Sequence, residues 1–263
     1  MSLTPPQISA LRELGEVWPG RDMVIIGATA LGFYYDKDWR KTADVDLVVA
    51  VEIDEFPGRL VERPGWDQHP DREHEFHSPH GVKLDILPAG EALLRKGTIV
   101  WSRGQVMSLV GIDLAFRHAE PHTVESFIVK VATPAVVTVL KMAAYLDRPQ
   151  ERLRDLHDIA HLLESYVDDS SPRLWDEALA FGEYDLAPSY LLGLDIGRII
   201  EEPHLQLVEA FLSRVGDPDG FDHAQMLRRG PRRWSTEGQP LERRLHALRA
   251  GMTAARGGPP DAG

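Results

Sequence analysis

Apolar residues recur along this chain at two different periods, and the change from one to the other near residue 133 divides it. Ile8, Leu11, Leu14 and Val17 fall three apart, the stripe of a short amphipathic helix over 6–18. Val24-Ile25-Ile26 is a compact β-branched run that Gly27 breaks, and 28–35 then reads as a helix, so this stretch is strand, glycine turn, helix. A second buried strand covers 44–51 and carries Asp44 and Asp46 at its start. Residues 73–78 and 82–87 flank Pro79-His80-Gly81, the layout of a hairpin whose second arm brings Asp85 into the sheet. Further strands are expected at 106–110 and 126–131.

Beyond Thr133-Pro134 the spacing turns helical, with helices expected at 134–147, 151–166, 172–181, 188–200, 203–215 and 241–255. Prolines stand at or just before several of these starts, where the missing N–H costs nothing. The pattern therefore implies an α/β domain with a short mixed sheet over 1–132, a helical domain over 133–256 and a disordered tail over 257–263.

Composition narrows the classes. At 43% hydrophobic and 27% charged the chain has ordinary globular content, and no run approaches the roughly 20 apolar residues of a membrane span. The first residues lack the basic and apolar regions of a signal peptide, so a cytoplasmic protein is expected. There is no cysteine, which leaves carboxylate or imidazole to hold any metal. A net charge of −12 argues against a broad basic surface for nucleic acid. Arg228-Arg229, Arg232-Arg233 and Arg243-Arg244 could still make one basic face, or be solvated helix charges.

The candidate chemistry sits on the strands. Asp44 and Asp46, two apart, emerge on the same face, and Asp85 can join them from a neighbouring strand. A turn residue and a scattered surface acid would be the bland alternative, but each acid is embedded among apolar residues, Val45, Leu47, Val48 and Val49 around one pair and Leu84, Ile86 and Leu87 around Asp85. Three close carboxylates raise one another's cost of ionisation, so such a group implies a divalent cation, and oxygen-only ligation selects Mg2+ or Mn2+. Upstream, Gly27-Ala28-Thr29-Ala30 follows a strand and opens a helix, where backbone N–H groups and the helix dipole favour a triphosphate. His69, His74, His77 and His80, with Asp67, Asp71, Glu73 and Glu75 between them, are a second candidate metal group, but they form no helical ligand pair, and hairpin alternation explains His74 and His80 as outward residues better than zinc does.

Taken in order, Gly27-Ala28-Thr29-Ala30-Leu31, then Arg40-Lys41-Thr42-Ala43-Asp44-Val45-Asp46-Leu47, then Lys83-Leu84-Asp85, resemble the signature of polymerase β-like nucleotidyltransferases. Lys141, Arg148 and Arg154-Asp155-Leu156-His157-Asp158-Ile159 are similar to the AbiEii and MenT-type group, which includes toxins of type IV toxin–antitoxin systems. The resemblance implies a polymerase β-like core that moves a nucleoside monophosphate from an NTP to an acceptor, with two metal ions held by Asp44, Asp46 and Asp85. It implies that Gly27, Ala28, Thr29 and Lys141 bind the triphosphate, and that of Asp155 and Asp158 one takes the acceptor proton while the other pairs with Arg154 or Arg148. Ala28 departs from the usual serine or second glycine, and Thr29 is the residue able to supply a hydroxyl. RNA, including the tRNA 3′ end, is the acceptor that the resemblance favours, with a cognate antitoxin as partner. The acidic balance favours an aminoglycoside-type small molecule or a protein side chain, and a catalytically degenerate nucleotide-binding module is the non-enzymatic alternative.

Overall fold

The computed structural model describes residues 3–36, 42–235 and 240–257. Arg40 and Lys41 of the quoted motif and 258–263 of the expected tail lie outside the described residues. The chain divides into two compact units after Val137, one turn beyond the change of period.

The first unit begins with α1 (Pro5–Val17), started by a capping box in which the Thr4 hydroxyl accepts from the Gln7 N–H while the Gln7 side chain accepts from the Thr4 N–H. Then come β1 (Met23–Ile26), α2 (Gly27–Tyr34), β2 (Val45–Val49), β3 (Asp67–Gln68), β4 (Glu75–His77), β5 (Lys83–Pro88), α3 (Glu91–Lys96), β6 (Thr98–Val100), β7 (Val106–Ser108), α4 (Ile112–His118), β8 (Ala119–Val124) and β9 (Phe127–Ala132). Seven strands form a mixed sheet in the order β3-β4-β5-β2-β1-β9-β8. Its centre is β2, antiparallel to β1 and parallel to β5, and β1 in turn is parallel to β9. The apolar strand residues Val24, Val45, Leu47, Leu84, Ile86 and Phe76 are all buried, which is why the acids between them stand out in the sequence.

The hairpin expected around His80 forms, β4 running antiparallel to β5. The strand expected at 106–110 is shorter and leaves the main sheet: β7 pairs with β6 alone, burying Ile99 and Met107 while Val100 and Val106 stay exposed. In this unit β3, α3, β6, α4 and β8 escaped the periodicity. The last is an edge strand whose polar residues and Pro121 hide its pairing with β9, since an edge tolerates a residue with no N–H to donate.

Helix α5 (Pro134–Asp147) begins in the first unit and ends in the second. The second unit continues with α6 (Leu153–Ser165), α7 (Arg173–Asp176), α8 (Ala187–Ile199), α9 (Glu202–Val215), α10 (Phe221–Arg229) and α11 (Pro240–Ala255). The helix expected at 172–181 reduces to α7 and a 3-10 turn, because the Ala178 N–H bonds to the Arg173 carbonyl in a widened turn that buries Leu174 and Ala178 and leaves Trp175 and Leu179 outside. Helices α8 and α11 pack backbone to backbone. A Cβ on Gly193 would lie 2.0 Å from the Leu248 carbonyl oxygen, and one on Gly251 would lie 2.0 Å from that of Tyr190, so only glycine permits this approach. The arginine clusters do not share one fate: Arg244 is buried on Glu164 at 2.5 Å, with its guanidinium 5.6 Å over the Trp234 ring, whereas Arg243 pairs with Glu183 at the surface.

Candidate active site

Strand register brings two of the three candidate acids side by side. Asp46 on β2 and Asp85 on β5 are paired across the parallel ladder, and Asp85 is also paired with Glu75 across the antiparallel ladder to β4. Side chains of paired residues share a face, as do those two apart on one strand, so Asp46, Asp85, Glu75 and Lys83 rise from the same side of the sheet. Asp44 stands one residue ahead of β2.

Two hydrogen bonds hold that approach to β2. The Thr29 hydroxyl donates to the Asp44 carbonyl at 2.6 Å, and Gln7 Nε2 donates to the Ala43 carbonyl at 3.0 Å. Thr29, 5% exposed, thus links the first turn of α2 to the backbone of the first acid. Gly27, at φ +66°, opens α2 directly against Asp46: a Cβ there would stand 2.3 Å from Asp46 Oδ2. Both the left-handed backbone and the missing side chain are needed for the aspartate to sit beside the turn.

Lys83 is the charge centre of this face. Its Nζ lies 3.3 Å from Asp44 Oδ2, 3.4 Å from Glu75 Oε2 and 3.7 Å from Asp85 Oδ1. Burial pulls the ammonium down, but Asp85 and Asp44 outweigh it and hold Lys83 above the ordinary lysine range. Glu75 is 3% exposed, with Oε1 2.9 Å from Arg72 and 3.5 Å from His77 Nε2. Burial pushes its carboxyl up, yet Lys83 and then Arg72 prevail and keep it below the usual carboxylate range. Asp85 Oδ1 is buried without a hydrogen bond. Among the described residues no three His, Asp or Glu side chains already converge at ligand spacing. The donor chemistry nonetheless fits a hard divalent cation, with carboxylate oxygens only and one of them buried and lacking a hydrogen-bond donor.

In the sequence Glu75 stands only among the acids of the histidine-rich segment, Gln7 is passed over and Lys83 draws no role. A signal for Glu75 and Lys83 was available: a hairpin symmetric about His80 must pair residue 75 with 85 and residue 77 with 83, as the ladder does. Of the histidines, His80 reaches Glu13 at 2.7 Å, His77 is exposed beside Glu75, and His74 packs against Trp101 with ring centroids 5.7 Å apart.

In the second unit Lys141, Asp155 and Asp158 form one group. The Lys141 ammonium lies 2.7 Å from Asp155 Oδ1 and 2.7 Å from Asp158 Oδ2. Lys141 is 6% exposed, Asp155 7% and Asp158 0%, so a single buried cation is shared by two carboxylates one turn apart on α6. The turn between α5 and α6 makes this meeting of the two helices possible. Arg148 faces Asp147 at 3.5 Å and Glu151 at 3.9 Å, and the lysine, not an arginine, is the partner common to both aspartates.

A mixed sheet with acids at paired positions behind a glycine turn is the layout of a nucleotidyltransferase core. Residues 9–238 match the family described as nucleotidyl transferase AbiEii toxin, type IV TA system, and the chain belongs to that family. No curated protein matches the chain. Solved structures similar to it include an antigenic nucleotidyltransferase-like protein from Paracoccidioides brasiliensis, 16% identical with a TM-score of 0.38, covering 78% of this chain and 91% of that one. Another is a protein from H. pylori described as a nucleotidyltransferase, 14% identical with a TM-score of 0.35, covering 95% and 93%. Among the described residues no helix is long and apolar enough to cross a membrane.

Proposed function

We propose that this nucleotidyltransferase is dependent on a divalent cation, Mg2+ or Mn2+, and transfers a nucleoside monophosphate from an NTP to an RNA hydroxyl, the tRNA 3′ end being the first acceptor to test. The observation that carries the reading is the register that sets Asp46 beside Asp85, with Gly27 cleared of a side chain against Asp46. Asp44, Asp46 and Asp85 would hold the cation, which when bound neutralises phosphate charge and lowers the pKa of a coordinated hydroxyl. Gly27, Ala28 and Thr29 present the first backbone N–H groups of α2 to the triphosphate, while the Thr29 hydroxyl positions Asp44 instead of replacing the serine of related sequences. Family membership supports the NTP substrate, a cognate antitoxin and a cytoplasmic setting. The core over 1–132 and the helical part over 133–256 belong to this proposal, and Lys141, Asp155 and Asp158 are the candidate residues of the helical part.

In that part Asp155 is the acceptor of the substrate proton, and Lys141, paired with both aspartates at 2.7 Å, is the cation that would turn from them to the phosphates. Asp155 is favoured over Asp158 because its carboxylate keeps some exposure while that of Asp158 has none. The decisive experiment incubates the full chain with each of four labelled NTPs, total tRNA and Mn2+ or Mg2+. Label on tRNA that disappears with EDTA and in Asp46→Asn, whose circular dichroism stays native, is the expected outcome. Label that appears only on an aminoglycoside or on protein moves the acceptor to those classes. No turnover of any NTP leaves a nucleotide-binding module.

A further inference from the structure

The acid face of the sheet carries a cation for which nucleotidyl transfer has no stated use. Lys83 stands two residues before Asp85, and carboxylates from three places in the chain surround its ammonium: Asp44 at 3.3 Å, Glu75 at 3.4 Å and Asp85 at 3.7 Å. Two of these are assigned above to the metal. The third is not. Glu75 lies on the far side of β5 from β2, is almost wholly buried, and has its other oxygen on Arg72 at 2.9 Å. An ammonium and a divalent cation seek the same hard anionic oxygens, and each raises the cost of bringing up the other. Asp44 Oδ2 and Asp85 Oδ1 cannot serve both at full strength.

We propose that Lys83 is the resident counter-ion of the carboxylate site: it neutralises Asp44 and Asp85 while no divalent cation is bound, and it yields them to the cation by withdrawing onto Glu75. This rests on the reading of Asp44, Asp46 and Asp85 as metal carboxylates. It accounts for a feature that the metal reading alone leaves idle, a buried glutamate beside the site that is not among its ligands. Without Glu75 the displaced ammonium would be left partly buried and uncompensated, which is costly. With Glu75 it keeps one charged partner in either state. Without Lys83 the carboxylates would repel one another in the metal-free protein. Lys83 is accordingly a positioning residue: it acts through the carboxylates, and its presence sets metal affinity below what those carboxylates would give alone.

The test is Mn2+ binding to the full chain without nucleotide, read by the paramagnetic resonance of free Mn2+, with thermal unfolding followed in parallel. Lys83→Met should tighten Mn2+ binding by about tenfold, the effect of removing one positive charge a few ångströms from the ion. The same variant should unfold earlier when metal-free and gain more from added Mn2+ than the wild type does. Lys83→Arg, which keeps the charge, should keep the wild-type affinity. Glu75→Gln should weaken Mn2+ binding, because the ammonium then has nowhere else to go, and this effect should vanish when combined with Lys83→Met. A purely structural lysine would not produce tighter binding on removal. Unchanged or weaker Mn2+ binding in Lys83→Met, or a Glu75→Gln effect that persists in the double variant, overturns the proposal. If the wild type binds Mn2+ and Asp46→Asn does not, such a result leaves the metal reading standing; if the wild type binds none, both fall.

Discussion

At the scale of single residues the most constrained position is Gly27. Its φ of +66° is unfavourable for a side chain, and the space a Cβ needs is already taken by Asp46 Oδ2 at 2.3 Å. Gly27→Ala should therefore cost about 1–2 kcal/mol in backbone conformation alone and turn Asp46 away from its present place. Urea unfolding would read the first effect. Loss of turnover with a shift in Mn2+ affinity would read the second, and unaltered activity would separate the glycine from the site. Thr29 shows how a residue type can be legible and its role not. Its hydroxyl suggests a phosphate contact in sequence, but folding directs it to the Asp44 carbonyl at 2.6 Å, a choice visible only once β2 lies beside α2.

At the scale of elements, α6 carries two separate stability terms. Its buried face sets Asp155 and Asp158 on Lys141, and the two aspartates should part company on substitution. Asp155→Ala should lower turnover by roughly 10²–10⁴-fold, the range for losing a general base, and should destabilise less than Asp158→Ala because its carboxylate is the less buried of the two. Asp158→Ala removes the wholly buried partner of a buried cation and should destabilise by about 3 kcal/mol. A benign Asp155→Ala beside a stable, inactive Asp158→Ala would reverse the assignment. One turn along, burial and then His157 pull the His161 imidazole down to about 4. A histidine with its folded value depressed binds fewer protons than the unfolded chain between that value and about 6.5, so its contribution is complete above pH 6.5 and is lost as pH falls toward 4. His161→Gln should flatten the dependence of the urea midpoint on pH across that window, and an unchanged slope would show that other groups set it.

At the scale of the whole molecule the net charge of −12 and an RNA acceptor pull in opposite directions. Some basic residues are taken up by internal ion pairs, Arg244 on Glu164 and Arg173 on Asp195. With acids outnumbering bases to a net charge of −12, RNA engagement should be local. Labelling of tRNA should then fall only gently as salt rises from 50 to 200 mM, well short of the roughly 10³–10⁵-fold loss in affinity expected of a protein making 6–10 phosphate contacts. A steep loss would reveal an extended basic track that the charge balance does not announce.

Some of this protein follows from its sequence alone. A strand, glycine turn and helix at Val24 to Tyr34, acidic residues lodged in apolar strands, and the switch to helical spacing at Pro134 are local properties, written by side-chain period and backbone restriction, and they appear in the fold within a residue or two. The family was legible for the same reason, since short motifs in a fixed order need no tertiary structure to be read. What the sequence could not decide were partnerships between distant residues. That Asp46 pairs with Asp85, that Lys83 faces three carboxylates, and that α8 meets α11 through Gly193 and Gly251 depend on strand order and helix approach. Those are set by burial of the whole core, a non-local quantity in which edge strands such as β8, polar and carrying a proline, take part without leaving a periodic trace.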